Sequence, residues 1–285
     1  MNKGVFSWQE LLAPLGGKRP LIAGIVNATP DSFSDRDGSL DYCERIKFAL
    51  QLLDEGADII DLGGESTRPG AAEVKPAAEW ERIEPVLQGI LSQRPQAVIS
   101  IDTRHSTTAE KALQNGATII NDVSGLTFDR NMAEVVAAYS CGCILTHSSG
   151  IPEVMQSSGT VIVDNTLEIV RQGLHDLLAN ASLHQIKTSQ IMLDAGIGFG
   201  KTRAGNYELL RHADELEKEF ALPFCWGVSR KSLLKSEPDT LEKRIAGSLA
   251  LAVKLANRNV SLLRVHDVAM TVAALQAARE MDSGE

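Results

Sequence analysis

Short apolar runs recur along the chain. Each is closed by a polar residue or loop and followed by a longer stretch with apolar positions three and four apart. The first run spans 21–26 and leads into the polar loop NATPDSFSDRDGS. Strand-like runs return at 58–62, 97–101, 118–120, 142–145, 191–193, 224–228 and 261–264. Helical periodicity fills 41–55, 76–92, 106–115, 130–139, a span within about 161–182, then 206–220, 240–257 and 267–281. The stops suit the elements: Gly56 follows the first helical stretch and Gly116 the third. Ahead of the rhythm, 5–16 (VFSWQELLAPLG) predicts a short segment packed against the bottom or rim of a domain.

Eight strand–helix units with no break in composition predict an α/β fold, a (β/α)8 TIM barrel, occupying 20–285 as one domain, with 1–19 as an extension packed on it. The runs are short and apolar throughout, as expected of strands buried on both faces. A doubly wound open sheet is the alternative. It usually carries a glycine-rich first turn, and NATPDSFSD has no glycine.

Polar residues stand where the strands end: Asn27, Asp61, Asp102, Asn121, Asp194, Lys231, Arg264 and His266. A barrel gathers such ends on one face, where active sites are built. Asp102 or Asp194 alone could cap a following helix. Lysine, arginine and histidine do not cap helix N-termini, so the set as a whole predicts a site for a polar, partly anionic ligand. The loop DLGGESTRPG at 61–70 adds to it. Gly63 and Gly64 let the backbone bend, Pro69 restrains it, and Arg68 offers a planar fork of donors suited to phosphate or carboxylate.

Composition narrows the partners. The chain has 285 residues, 44% hydrophobic and 23% charged, within the range of globular proteins. A formal net charge of -9 argues against nucleic acid or an anionic membrane surface, but a local basic cluster can still hold a small anion. Cysteines at 43, 141, 143 and 225 are too sparse for a disulfide framework, and Cys141 with Cys143 reads as a pair of core thiols on one strand face. No leader-like or membrane-length apolar run is visible, so a cytoplasmic location is the default expectation. AGIGFGKT at 195–202 imitates a phosphate-binding loop, but Ala195 stands where that pattern needs glycine. The stretch is expected instead to shape a pocket beside Asp194. Neither G-x-S-x-G nor H-E-x-x-H occurs.

Seven segments in order, NATPDSFSD at 27–35, DLGGESTRPG at 61–70, SIDT at 100–103, INDVSG at 120–125, LDAGIGFGK at 193–201, SRKS at 229–232 and RVHDV at 264–268, resemble the dihydropteroate synthases, a family of pterin-binding barrels. The resemblance runs from about Pro20 to the last helix. It implies transfer of a dihydropterin-methyl group from its diphosphate to p-aminobenzoate, in folate biosynthesis, with Mg2+ assisting. By the same resemblance Asp102, Asn121, Asp194 and Lys231 meet the pterin, Arg68, Arg264 and His266 meet the diphosphate, and Val265 is counted among the substrate-binding residues. Asn27 contacts Mg2+, and Asp35 stabilises a dihydropterin-methyl cation. Phe33, Thr67 and Pro69 line the p-aminobenzoate pocket, and Ser232 holds its carboxylate with help from a helix N-terminus. Asp35, Arg68 and Lys231 are the expected catalytic set, and a homodimer without nucleic-acid or membrane partners is implied. Three departures stand out: THSSGIP after Leu145 where MHMRGTP is common, Ala195 where proline is usual, and SDRDGS in place of SDGG. The competing expectations are a methyltetrahydrofolate methyltransferase-type barrel and a non-catalytic homologue.

Overall fold

The computed structural model describes residues 4–29, 41–66, 73–149, 161–162 and 164–283. Eight strands follow in chain order: β1 (Leu21–Asn27), β2 (Ile59–Gly63), β3 (Val98–Asp102), β4 (Ile119–Asp122), β5 (Gly142–Thr146), β6 (Ile191–Asp194), β7 (Cys225–Trp226) and β8 (Leu262–Val265). All pair in parallel, neighbour to neighbour, and β8 returns to pair with β1. Between β6 and β7 the described residues show one bridge, Leu193 to Phe224, where Leu193 N–H donates to Pro223 O at 2.9 Å. The sheet is thus a nearly closed (β/α)8 TIM barrel, as expected.

Helices fill the crossovers: α1 (Trp8–Leu12) ahead of the barrel, then α2 (Tyr42–Asp54), α3 (Pro76–Gln93), α4 (Ser106–Gln114), α5 (Met132–Tyr139), α6 (Thr166–Leu183), α7 (Arg203–Arg211), α8 (Ala213–Phe220), α9 (Leu241–Ala256) and α10 (Val268–Ser283). Side-chain caps set several starts. Asp41 accepts from Glu44 N–H at α2, Thr202 from Gly205 N–H at α7, and Thr240 from Lys243 N–H at α9.

Three expectations change. The helix read at 206–220 is two helices, broken at His212, whose ring Nδ1 lies 2.8 Å from Glu215 Oε2 across the first turn of α8. The strand read at 224–228 is shorter, Cys225–Trp226, with Phe224 reaching β6 by the single bridge to Leu193. The helix placed after SRK does not begin there. Ser232 opens a three-residue 3-10 turn, Ser232–Leu234, and α9 starts only at Leu241.

Strand alternation divides the interior. Leu21, Ala23, Ile59, Ile119, Ile144, Met192, Cys225 and Leu262 form one apolar cluster inside the lower barrel. Trp8 of α1, fully buried, closes it from below and donates its indole N–H to Gln190 O at 2.8 Å. The opposite strand faces, including Ile60, Leu62, Ile101, Ile120, Leu145 and Val265, pack into the larger cluster beneath the helices. Cys141 and Cys143 lie in that outer cluster as free thiols.

Candidate active site

Alternation fixes what the barrel mouth contains. With Ile59, Ile119, Met192 and Leu262 inside the lower barrel, the next inward positions up each strand are Asp61, Asn121, Asp194 and Arg264. Register sets Gly63 of β2 beside Asp102 of β3, and Asp102 beside Asn121 of β4. The polar layer therefore rests on an apolar floor, and its members are held by one another.

Arg264 is the hub. Its Nε donates to Asp61 Oδ2 at 2.5 Å and its Nη2 to Asp102 Oδ2 at 2.6 Å. Asn121 Nδ2 donates to Asp61 Oδ2 at 3.2 Å. Burial alone would depress the guanidinium pKa, but Asp61 and Asp102 outweigh it and raise it, so Arg264 stays charged. Burial pushes Asp102 well above the ordinary carboxylate range, with Arg264 opposing and Asp61 adding to the rise. Its second oxygen, Oδ1, is buried with no hydrogen-bond partner among the described residues. A buried acceptor without a donor is costly unless a ligand supplies one.

Asp194 and Lys231 face this group. Asp194 Oδ1 accepts from Gly196 N–H at 2.7 Å, and burial raises its pKa against the pull of Lys231. Lys231 Nζ donates to Ile197 O at 2.5 Å and stands 4.4 Å from the centre of the Phe199 ring. Burial draws its ammonium down to about 8, with Asp194 opposing. The imitation phosphate loop is turned inward. Lys201 Nζ donates to His147 O at 3.0 Å, Gly196 O at 2.9 Å and Phe199 O at 3.1 Å.

At the rim, His266 Nδ1 lies 3.0 Å from Ser229 Oγ. Arg230 is occupied by a two-point ion pair with Asp267. Ser232 is exposed, and with only a 3-10 turn behind it the expected helix N-terminal field is missing. Val265 is buried in the outer cluster, so its side chain faces the helices and not the mouth. Thr146 and Ala195, two of the departures, are both buried beside the site, Thr146 paired in register with Asp194. Phe33, Asp35, Thr67, Arg68 and Pro69 lie outside the described residues.

Two groups carry more than the sequence suggested. Asp61 was legible as a strand-end carboxylate but not as the anchor of Arg264 and Asn121. Glu65 is buried at the stem of the DLGGES loop. It accepts from Val74 N–H at 2.8 Å, from Arg104 Nη2 at 3.0 Å and from Arg104 Nε at 3.2 Å. Arg104 in turn lies 4.1 Å from the Phe128 ring centre. The available signal was TRH at 103–105, cations placed immediately after a buried strand. Hydrogen bonds from His105 and Arg104 outweigh burial, the largest single influence, and bring Glu65 down to about 2.

A parallel barrel with an apolar floor and a mouth of paired carboxylates, amide and cations defines an enzyme for a flat, polar small molecule. The family described as pterin binding enzyme matches residues 23–266, and the chain belongs to that family, among the dihydropteroate synthases. The dihydropteroate synthase of Neisseria meningitidis serogroup C is 42% identical over 279 residues, covering 95% of each chain. The Xanthomonas albilineans dihydropteroate synthase solved with 4-aminobenzoic acid is 34% identical with a TM-score of 0.84, covering 94% of each chain. That of Anaplasma phagocytophilum, with bound 6-hydroxymethylpterin-monophosphate, is 32% identical with a TM-score of 0.82, covering 92% of this chain and 99% of its own.

Proposed function

We propose that the protein joins p-aminobenzoate to 6-hydroxymethyl-7,8-dihydropterin diphosphate, giving 7,8-dihydropteroate and pyrophosphate. The observation that carries this is the unpartnered Oδ1 of buried Asp102, set beside Asn121 and across from Asp194 and Lys231. A pterin edge presents amino and ring N–H donors next to a carbonyl and ring nitrogens. Two carboxylates, an amide and an ammonium supply the complementary acceptors and donors. A ligand lacking those groups would leave them unpaired in a buried site, which is the basis of selectivity.

In the reaction the C–O bond between the pterin methylene and the diphosphate breaks. The aniline nitrogen bonds to that carbon and loses a proton, and pyrophosphate leaves. No covalent enzyme intermediate is required. The protein's work is to hold the pterin and to stabilise charge on the departing group. His266 at the rim is assigned to the diphosphate. Arg264 gives Nε and Nη2 to two carboxylates but has five N–H donors, so we assign it both to building the pterin pocket and to the diphosphate. Arg68 at the diphosphate, Asp35 at the developing cation, Phe33, Thr67 and Pro69 around p-aminobenzoate, and Ser232 at its carboxylate rest on the motif match alone.

The donor set accords with Mg2+. Among the described residues no group of three or more His, Cys, Asp or Glu side chains converges as a metal site. Asn27, at the C-terminal end of β1 beside Gly63, offers one amide oxygen. That suits an ion that keeps much of its water and takes other ligands from substrate phosphates. When bound there, Mg2+ would offset diphosphate charge. A homodimer, carried from the resemblance, and a cytoplasmic location, the default expectation of the sequence, complete this reading. No described helix is long and apolar enough to cross a membrane.

The test is release of pyrophosphate by purified protein given both substrates and Mg2+. Release that requires both substrates is the expected outcome. Tight binding of the pterin diphosphate with no release would refute catalysis.

A further inference from the structure

Lys201 is 4% exposed, and its ammonium has three N–H donors. All three are matched by carbonyl oxygens, those of His147, Gly196 and Phe199. The acceptors come from two different loops. His147 follows β5, and its own N–H donates to Asp194 O at 2.9 Å. Gly196 and Phe199 belong to the loop that follows β6. The lysine therefore ties together the two loops that border Asp194.

The backbone around it leaves little slack. Gly196 has φ +68, and a Cβ there would lie 1.9 Å from His147 O and 2.9 Å from Lys201 Nζ. Gly198 N–H donates to Asn206 Oδ1 at 2.7 Å, and Asn206 Nδ2 donates to Thr202 O at 2.8 Å. Ile197, between the tied Gly196 and Phe199, and Phe199 itself are the two residues that hold Lys231: one by its carbonyl, the other by its ring.

We propose that Lys201 is a positioning residue for pterin binding: by fastening the β5 and β6 loops through three carbonyls, it places Ile197 and Phe199 so that Lys231 and Asp194 meet the pterin in fixed geometry. This rests on the pterin-synthase reading of the site. A lysine in this GKT stretch thus acts on a pterin pocket from behind, its three donors given to backbone carbonyls.

The experiment compares wild-type protein with Lys201→Met and Lys201→Gln. Wild-type turnover is measured first. Its absence would be a failure of the synthase reading, and pterin binding by fluorescence would then test the inference alone. Both variants are checked for native circular dichroism and melting temperature. Displacing contact groups by about an ångström commonly costs one to two orders of magnitude. We expect the pterin diphosphate KM and the pterin dissociation constant to rise about tenfold or more in Lys201→Met, with a smaller rise in Lys201→Gln, which keeps two donors. The KM for p-aminobenzoate at saturating pterin should stay within about twofold. An unchanged pterin KM and dissociation constant in a folded variant would overturn the proposal. So would equal losses for both substrates that simply track a lowered melting temperature. If Lys201→Met does not fold, the Lys201→Gln pterin constants decide alone.

Discussion

Asp102 gives one oxygen to Arg264 and keeps the other for a ligand. In Asp102→Asn, Nδ2 would face Arg264 or the pterin donors, and a donor meets a donor either way. Lost bonds to a charged group and a stranded partner together reach ~3 kcal/mol, so kcat/KM for the pterin substrate is expected to fall about a hundredfold. The same residue predicts a pH effect. Burial raises its pKa in the free protein, yet it must be anionic to accept from pterin N–H groups. Pterin affinity should therefore strengthen as pH rises towards neutrality and past it, with proton release on binding. Calorimetry in buffers of different ionisation enthalpy measures that release, and none at slightly acid pH would contradict the assignment.

At the scale of elements, α1 is short, five residues, yet it places Trp8 under the barrel. Trp8→Ala removes a fully buried ring and the bond to Gln190 O. A loss of about 3–5 kcal/mol is expected by urea denaturation, with pterin affinity of the folded protein little changed. The elements themselves were largely legible, because each strand is a short apolar run that ends in a polar residue. The exceptions have local causes. Nothing in the periodicity of 206–220 marks the break at His212, where the backbone leaves the helical conformation and the ring meets Glu215. At β7 the pairing depends on how the segment meets β6 and β8, which one strand's sequence does not reveal. The site was legible as a set of residues but not as a set of pairs. Arg264 reaches Asp61 across 203 positions of sequence, and its pairing with two carboxylates appears only once the strands are in register. Lys201 was the reverse case, a familiar local motif whose lysine points the other way.

For the whole molecule, acid stability depends partly on the Glu65–Arg104 pair at the stem of the β2 loop. The folded pKa of Glu65, about 2, lies below the ~4.3 of an unfolded glutamate. The group therefore contributes stability that is complete above that unfolded value and is lost as pH falls through about 2. Glu65→Gln should lower stability at neutral pH and flatten its dependence between about pH 4.5 and 2. Denaturant midpoints taken across that range measure it. A parallel downward shift with unchanged slope would mean that Glu65 titrates alike in both states.

The indole under the barrel has a consequence for kinetics. Among the described residues, Trp8 and its apolar neighbours fill the lower end of the lumen, which leaves the mouth above the polar layer as the way in. Whatever occupies the depth must arrive before whatever occupies the rim, and must leave after it. If the pterin is the deep guest, it binds without p-aminobenzoate, while p-aminobenzoate binds appreciably only over a pterin or its diphosphate remnant. Titrating each ligand into protein with and without the other reads out the order, and equal affinity for p-aminobenzoate in both cases would show a second way in.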